Sequence, residues 1–417
     1  MEIALVLLSV GLLIFLAHLF TVLFEKIRIP DVLPLVLLGF LIGPVCGVVT
    51  TESFGNVGSV FTTIALVLIL FESGLGIRFS ALRNSMLWGV RLSIFNFVGT
   101  TVLVTLLSRW LFHFSVLEGV ILGSILGGTS SVVVIPLVEK LRMGESSRTA
   151  LLLESTFTDV LCIVVTLALL RFHGSKELAP GLMLGQMLAS FILAIAIGVV
   201  GAFFWDSVLS RVRELENNII TTPAFVFIIF GLAEFFGYSG AIACLAFGVV
   251  IGNIRVFHRG FLQKLLLQPI TLNLRERAFF SEMVFLVKTF FFVFIGISIR
   301  LTDYYLILAA GILTVSMFVI RIPVVRLSLG REVTRSEASL AAAMVPKGLA
   351  PAVLAVLPIQ AGIANGYVIQ DTVFAVVILS IILTAILTFL LERKILYEPY
   401  GLVFSSYSKE PATRKDT

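Results

Sequence analysis

Residues 149–170 read TALLLESTFTDVLCIVVTLALL, an apolar run that holds two carboxylates, Glu154 and Asp159. As a helix rising about 1.5 Å per residue it extends roughly 33 Å, enough to cross a hydrocarbon layer of about 30 Å. An ionisable group at the centre of such a span costs about 2.5 to 3.5 kcal/mol on insertion scales. Two of them kept in one span point to a working site.

The rest of the chain has the same character. Of 417 residues, 59% are hydrophobic and 13% charged, and the mean hydropathy is +1.09, so lipid must be the solvent for most of it. Apolar runs of about 16 to 25 residues recur throughout. Thirteen spans are predicted, centred near Phe15, Leu41, Val67, Val98, Gly127, Val160, Ala194, Ile228, Ala246, Phe290, Val315, Ala350 and Leu383. They must be helical, because backbone exposed to lipid cannot be left unpaired and no alternating barrel pattern occurs. Met1 to Phe20 has neither a basic leader nor an A-x-A site and is read as the first span, not a signal peptide.

The net charge of +5 does not form a patch for nucleic acid. Its basic residues gather in every second loop: Lys26 and Arg28, Arg78 and Arg83, Lys140 to Arg148, Arg211 and Arg213, Arg255 to Arg277, Arg326 to Arg335, and the tail from Arg393. The opposite loops hold only Arg109, Arg171, Lys176 and Arg300. By the positive-inside rule the N-terminus is expected outside and the C-terminus in the cytoplasm. Cys46, Cys162 and Cys244 lie in apolar stretches without CxxC spacing, so buried free thiols are expected and a zinc site is not.

Gly74-Leu75-Gly76-Ile77-Arg78 closes the third span and Gly296-Ile297-Ser298-Ile299-Arg300 the tenth. An odd separation of spans gives opposite orientation, the pattern of an inverted-topology repeat. Under the same offset the fifth span pairs with the twelfth, and both are interrupted: by Gly127-Gly128-Thr129-Ser130-Ser131 and by Pro346-Lys347-Gly348-Leu349-Ala350-Pro351. Such interruptions open the backbone and bring half-helix ends to the midplane.

At least four charges are therefore expected within the membrane: Glu154, Asp159, Arg321 in the eleventh span and Lys347 in the twelfth-span interruption. Glu154 and Asp159 are five residues apart, so they diverge by about 140° and need different partners. Arg321, always protonated, suits Glu154 as a structural ion pair. Asp159 is the group able to hold either a proton or a dehydrated cation, the minimal chemistry of exchange. Thr129, Ser130, Ser155 and Thr158 are candidate neutral oxygen ligands, a set that suits Na⁺ or K⁺ and not a transition metal. Glu72, Glu234 and Glu282 sit near span ends, and Lys288 lies further into the tenth span, either reaching water or pairing with Glu282. With four histidines and no nucleophile–base constellation, an enzyme is not expected, nor a cofactor.

Glu154-Ser155-Thr156-Phe157-Thr158-Asp159 resembles the sixth-span motif E-S-x-x-N-D of the monovalent cation:proton antiporters, particularly the NhaP-type exchangers. Phe71-Glu72-Ser73-Gly74-Leu75 is similar to their F-E-x-G-L, and Arg321 stands in the eleventh span before a Val-rich stretch. The resemblance implies thirteen helices in two inverted repeats (about 1–172 and 218–396, with a linker helix near 180–205) within an exchanger domain of 1–396, followed by a short cytoplasmic tail, 397–417. It also implies a homodimer in the cell membrane, elevator-like movement of a six-helix core, Asp159 as the ion-binding carboxylate with Thr129 and Ser155 as ligands, and Glu154 paired with Arg321. Three positions depart from the pattern: Thr129-Ser130-Ser131 replaces T-D-P, Thr158 replaces Asn, and Lys347-Gly348 replaces Arg-Gly. The resemblance leaves Na⁺ and K⁺ both open, and an ion-coupled symporter or a transport-impaired channel or sensor stands as the alternative.

Overall fold

The computed structural model describes residues 8, 11–19, 32–47, 57–76, 86–130, 133–134, 137–138, 141, 143–174, 180–212, 218–257, 274–298, 304–396 and 403–408. Ser131 and the loop residues Lys26, Arg28, Arg78, Arg83, Lys140, Lys176, Arg213 and Arg300 lie outside that set.

The described chain is almost entirely helical. In order come α1 (Val32–Phe40, continued by a π turn, Leu41–Val45), α2 (Val57–Gly76), α3 (Met86–Phe112), α4 (Val116–Leu126), α5 (Glu145–Gly174), α6 (Pro180–Val212), α7 (Thr221–Phe235), α8 (Gly240–Gly252) and α9 (Ile254–Phe257). Then follow α10 (Leu274–Ser298), α11 (Tyr304–Ser328), α12 (Arg335–Ala343), α13 (Leu349–Leu354), α14 (Leu357–Gln360) and α15 (Gly366–Glu392). Among the described residues, six helices, in α3, α5, α6, α10, α11 and α15, are long and apolar enough to span a bilayer, and six shorter apolar helices accompany them. This is a polytopic all-α membrane fold.

Helix α3 shows why lipid is its solvent. Its outward face carries Ile94, Val98, Val102 and Leu106, all exposed, while Ser93, Asn96, Thr100 and Ser108 are buried. A helix that turns polar groups inward and aliphatic groups outward is stable only in hydrocarbon.

The chain divides into two compact units. One, made of 54–83 and 171–291, is held by close backbone approach: a Cβ on Gly74 would fall 2.8 Å from the amide nitrogen of Val249, and one on Gly252 2.8 Å from the carbonyl of Leu75. Phe71 stacks on Phe247 at 5.2 Å within the same seam. The other unit, made of 1–53, 84–170 and 292–417, uses the same device, with Gly43 seated against Ile297 and Gly296 against Gly39 and Phe40. Small residues let helices meet at backbone distance where lipid offers no hydrophobic drive. The Gly74 and Gly296 segments thus share a packing role at their first glycines.

Cys162 and Cys244 are buried thiols, but Cys46 is exposed, a correction to the expectation from its apolar surroundings. It follows the π turn around Pro44, where the helix ends and the chain faces outward.

Candidate functional site

The interruptions predicted in the fifth and twelfth spans are real breaks, and both lie in the 1–53, 84–170 and 292–417 unit. Each leading half-helix opens on a capping box. Ser115 accepts from the Glu118 amide and Glu118 accepts from the Ser115 amide; Thr334 and Glu337 repeat the exchange. This reciprocal bonding satisfies two of the amides left over at a helix start. Each box glutamate also reaches a distant loop, Glu118 accepting from Asn365 Nδ2 at 2.8 Å and Glu337 from the Gly144 amide. Those residues stand just before α15 and α5.

The half-helices end in carbonyls, the negative pole of the helix dipole, and each end meets a cation. Lys347 Nζ donates to the carbonyl of Gly128 at 2.7 Å, beyond the end of α4. Arg321 Nε donates to the carbonyl of Ala341 at 3.2 Å, in the last turn of α12. Both side chains are fully buried. The breaks are also joined through the backbone, Ser130 N donating to Pro346 O at 2.8 Å. Gly348 lies so close to the Ser130 side chain that a Cβ there would stand 2.5 Å from Ser130 Cβ. Lys347 is further fixed by its own amide, which donates to Ser380 Oγ of α15 at 2.9 Å.

Helix α5 supplies the carboxylates on different faces. Glu154, buried, accepts both terminal nitrogens of the Arg321 guanidinium, with Nη2 to Oε2 at 2.6 Å. This forked geometry is what a planar guanidinium offers and an ammonium does not. Ser155, Thr158, Asp159 and Cys162 recur at helical spacing on another face, and all four are buried. Thr158 Oγ1 accepts the amide of Thr129 at 3.1 Å and donates to the Ser155 carbonyl, so it holds the fifth-span break against α5. Ser155 Oγ donates back to Leu152 O at 3.0 Å. Thr129 Oγ1, by contrast, is buried with no hydrogen-bond partner, one residue beyond the carbonyl that Lys347 holds. Lys347 lies within electrostatic reach of Cys162, Arg321, Glu154 and Asp159.

All eight sequence-predicted site residues therefore fall in one unit, around the two breaks. Sequence reasoning passed over Ser380, Asn96 (whose Nδ2 donates to Gly127 O at 3.2 Å) and Cys162, whose Sγ packs against the Gly128 α-carbon. The capping-box motif S/T-x-x-E would have located both half-helix starts. In the other unit Lys288 pairs with Glu72 at 2.9 Å, which settles a partner the sequence left open, and Glu234 Oε1 accepts from the Gly240 amide at 2.7 Å as a local cap.

A polytopic helical protein whose two broken helices meet beside a buried set of two carboxylates and two cations has the architecture in which membrane proteins place ion sites. The transmembrane sodium/hydrogen exchanger family matches across residues 11–393, and the chain belongs to it. Among its relatives, Na⁺/H⁺ antiporter 1 of Methanocaldococcus jannaschii is 25% identical over 414 residues, covering 94% of each chain. The K⁺/H⁺ antiporter NhaP2 of Shewanella sp. (strain MR-4) is 26% identical over 196 residues, 46% of this chain and 34% of that protein. The match thus spans about a third of the length of the Shewanella relatives. The structure of the sodium proton antiporter MjNhaP1 from M. jannaschii superposes with a TM-score of 0.75 at 22% identity, covering 93% of this chain and 99% of that one, a likeness of fold.

Proposed function

We propose that the protein is a secondary active antiporter that exchanges a monovalent alkali cation for a proton by alternating access. The observation that carries this is the division of labour on α5. Glu154 is neutralised by Arg321, while Asp159 lies on the face that meets the fifth-span break, next to the residue that holds Thr129. The buried, unsatisfied Thr129 hydroxyl is the oxygen a dehydrated cation would take.

In this reading the proton and the cation compete for Asp159. Thr129, Ser130, Ser155 and Thr158 supply or position neutral oxygens, and Glu154 with Arg321 holds α5, α11 and α12 together. Relatives named for Na⁺ and for K⁺ support an alkali cation as substrate. The matched capping boxes and breaks support two inverted repeats. The alternation of basic loops supports an external N-terminus and a cytoplasmic C-terminus in the cell membrane, and family membership supports a homodimer.

The test is proton flux in proteoliposomes offered Li⁺, Na⁺, K⁺ and Rb⁺ in turn, with Asp159→Asn alongside. Cation-dependent flux in the native protein and none in the folded variant is the expected result; native rates in Asp159→Asn would overturn the mechanism.

A further inference from the structure

Helix α3 buries a row of polar side chains, and most of them are satisfied locally. Ser93 donates to Gly89 O, Thr105 to Thr101 O, Ser108 to Thr105 O, and Thr101 to Gly123 O of α4. Two oxygens in this row break the pattern. Asn96 Oδ1 and Thr100 Oγ1 are buried and have no hydrogen-bond partner, and at i and i+4 they lie on one face of the helix. Thr100 has an i−4 carbonyl within its own helix, as Thr105 does, yet makes no bond to it.

Asn96 is tied to the fifth-span break. The carbonyl of Gly127 can only accept, so the carboxamide nitrogen faces it. The carboxamide oxygen therefore points the other way, with no donor. Two residues further along the same break is Thr129 Oγ1, another buried oxygen without a partner. Leaving buried oxygens without donors is destabilising unless a group from outside the protein takes them up.

We infer that Asn96 is a specificity-determining ligand of the transported cation, its Oδ1 and Thr129 Oγ1 supplying neutral oxygens opposite Asp159, with Thr100 on the approach to the site. This rests on the exchange reading and deepens it. Ser130 is uncharged, so a carboxamide from α3 would complete the ligand shell and leave Asp159 as its negative group. One negative charge among neutral oxygens suits a monovalent cation and gives no advantage to a divalent one.

The experiment compares Asn96→Leu with Asn96→Asp in the purified protein. The first removes the oxygen and the amide donor; the second keeps the oxygen and loses the donor. Binding is read as the rise in melting temperature with NaCl, KCl or RbCl against choline chloride at equal ionic strength, and transport as the KM for each cation in proteoliposomes. A ligand role predicts at least a tenfold weaker cation response in Asn96→Leu, a retained response in Asn96→Asp, and an altered Na⁺/K⁺ preference in the latter. Equal loss in both variants would assign Asn96 to holding the Gly127 carbonyl and overturn the inference, as would native affinity in Asn96→Leu. Should Asn96→Leu fail to fold, Asn96→Ala, which also removes both groups, takes its place under the same criteria. Cation-induced stabilisation of native protein that shows no exchange would refute the antiporter reading and leave the binding assignment standing; exchange with native cation affinity in both variants would do the reverse.

Discussion

The Lys347 ammonium donates to the carbonyl of Gly128, and the two residues hold equivalent places in their broken spans. Gly128 is 13 residues beyond the capping residue Ser115, and Lys347 is 13 beyond Thr334. Glu118 and Glu337 likewise each stand three residues beyond their caps. One break therefore presents a carbonyl, and its counterpart, at the matching position, the cation that neutralises it. This complementary pairing supports the inverted-repeat reading better than the glycine echo does, because the echo glycines have a packing reason of their own.

The crossing depends on Gly348. A Cβ there would stand 2.5 Å from Ser130 Cβ, an overlap that turning the hydroxyl does not relieve, and overpacking of this kind costs about 1 to 3 kcal/mol. Gly348→Ala should lower the melting temperature of the detergent-solubilised protein, and adding Ser130→Gly should restore most of the loss. If the double variant is no more stable than the single, the two positions do not meet.

Glu154 and Arg321 form the other tie, and both are removed from solvent. Breaking a buried pair by deleting one partner costs about 3 to 5 kcal/mol, because the survivor is left as an uncompensated charge. Glu154→Ala and Arg321→Ala should each destabilise the protein more than the double substitution does. A double-mutant cycle reads this directly, and strictly additive losses would contradict it.

How much of this was legible in the sequence depends on range. The breaks were readable because Gly and Pro act locally, and the Glu154–Arg321 pairing because two buried opposite charges in apolar spans have few ways to be neutralised. Asn96 was not, since an amide in an apolar helix reads as packing until its neighbours show that one atom is bound and the other is not. Lys288 and Glu72 lie 216 residues apart, and nothing local specifies that they meet. The docking of the C-terminal segment was equally silent, because its contacts are largely with backbone carbonyls, which carry no sequence signal.

That segment makes a prediction of its own. Phe404 and Tyr407 are buried, and the Tyr407 hydroxyl lies 3.2 to 3.3 Å from the carbonyls of Val325, Arg326 and Leu329 at the end of α11. Arg335, at the start of α12, donates to the carbonyls of Ser405 and Tyr407, and its amide to Ser408. Tyr407→Phe removes one donor and should loosen the segment by about 1 kcal/mol, read as faster trimming by carboxypeptidase; an unchanged rate would show that the phenol contributes nothing. Burial pushes the Tyr407 phenol above its ordinary pKa of 10.0. The neutral form is thus the docked form, and docking should be constant through neutral pH and weaken as pH rises past about 10, where the undocked phenol ionises.

The sharpest expectation concerns charge. Ser130 carries no carboxylate and Glu154 is committed to Arg321, so in the proposed cycle the exchanged ions compete for Asp159. One proton is then released for each monovalent cation bound, and the loaded and protonated carriers have the same net charge. Transport should be electroneutral. Lys347 is the group that could change this, since a buried amine able to give up its proton would carry a second one and make the cycle electrogenic. Its bond to the Gly128 carbonyl argues against that, because a neutral amine would give up the charge that complements the end of α4. The measurement is cation-driven proton flux in liposomes clamped at several voltages with an ionophore for an ion that is not transported. Flux independent of voltage fits the single-carboxylate cycle. A steep dependence would refute it, and loss of that dependence in Lys347→Gln would identify the amine as the second carrier.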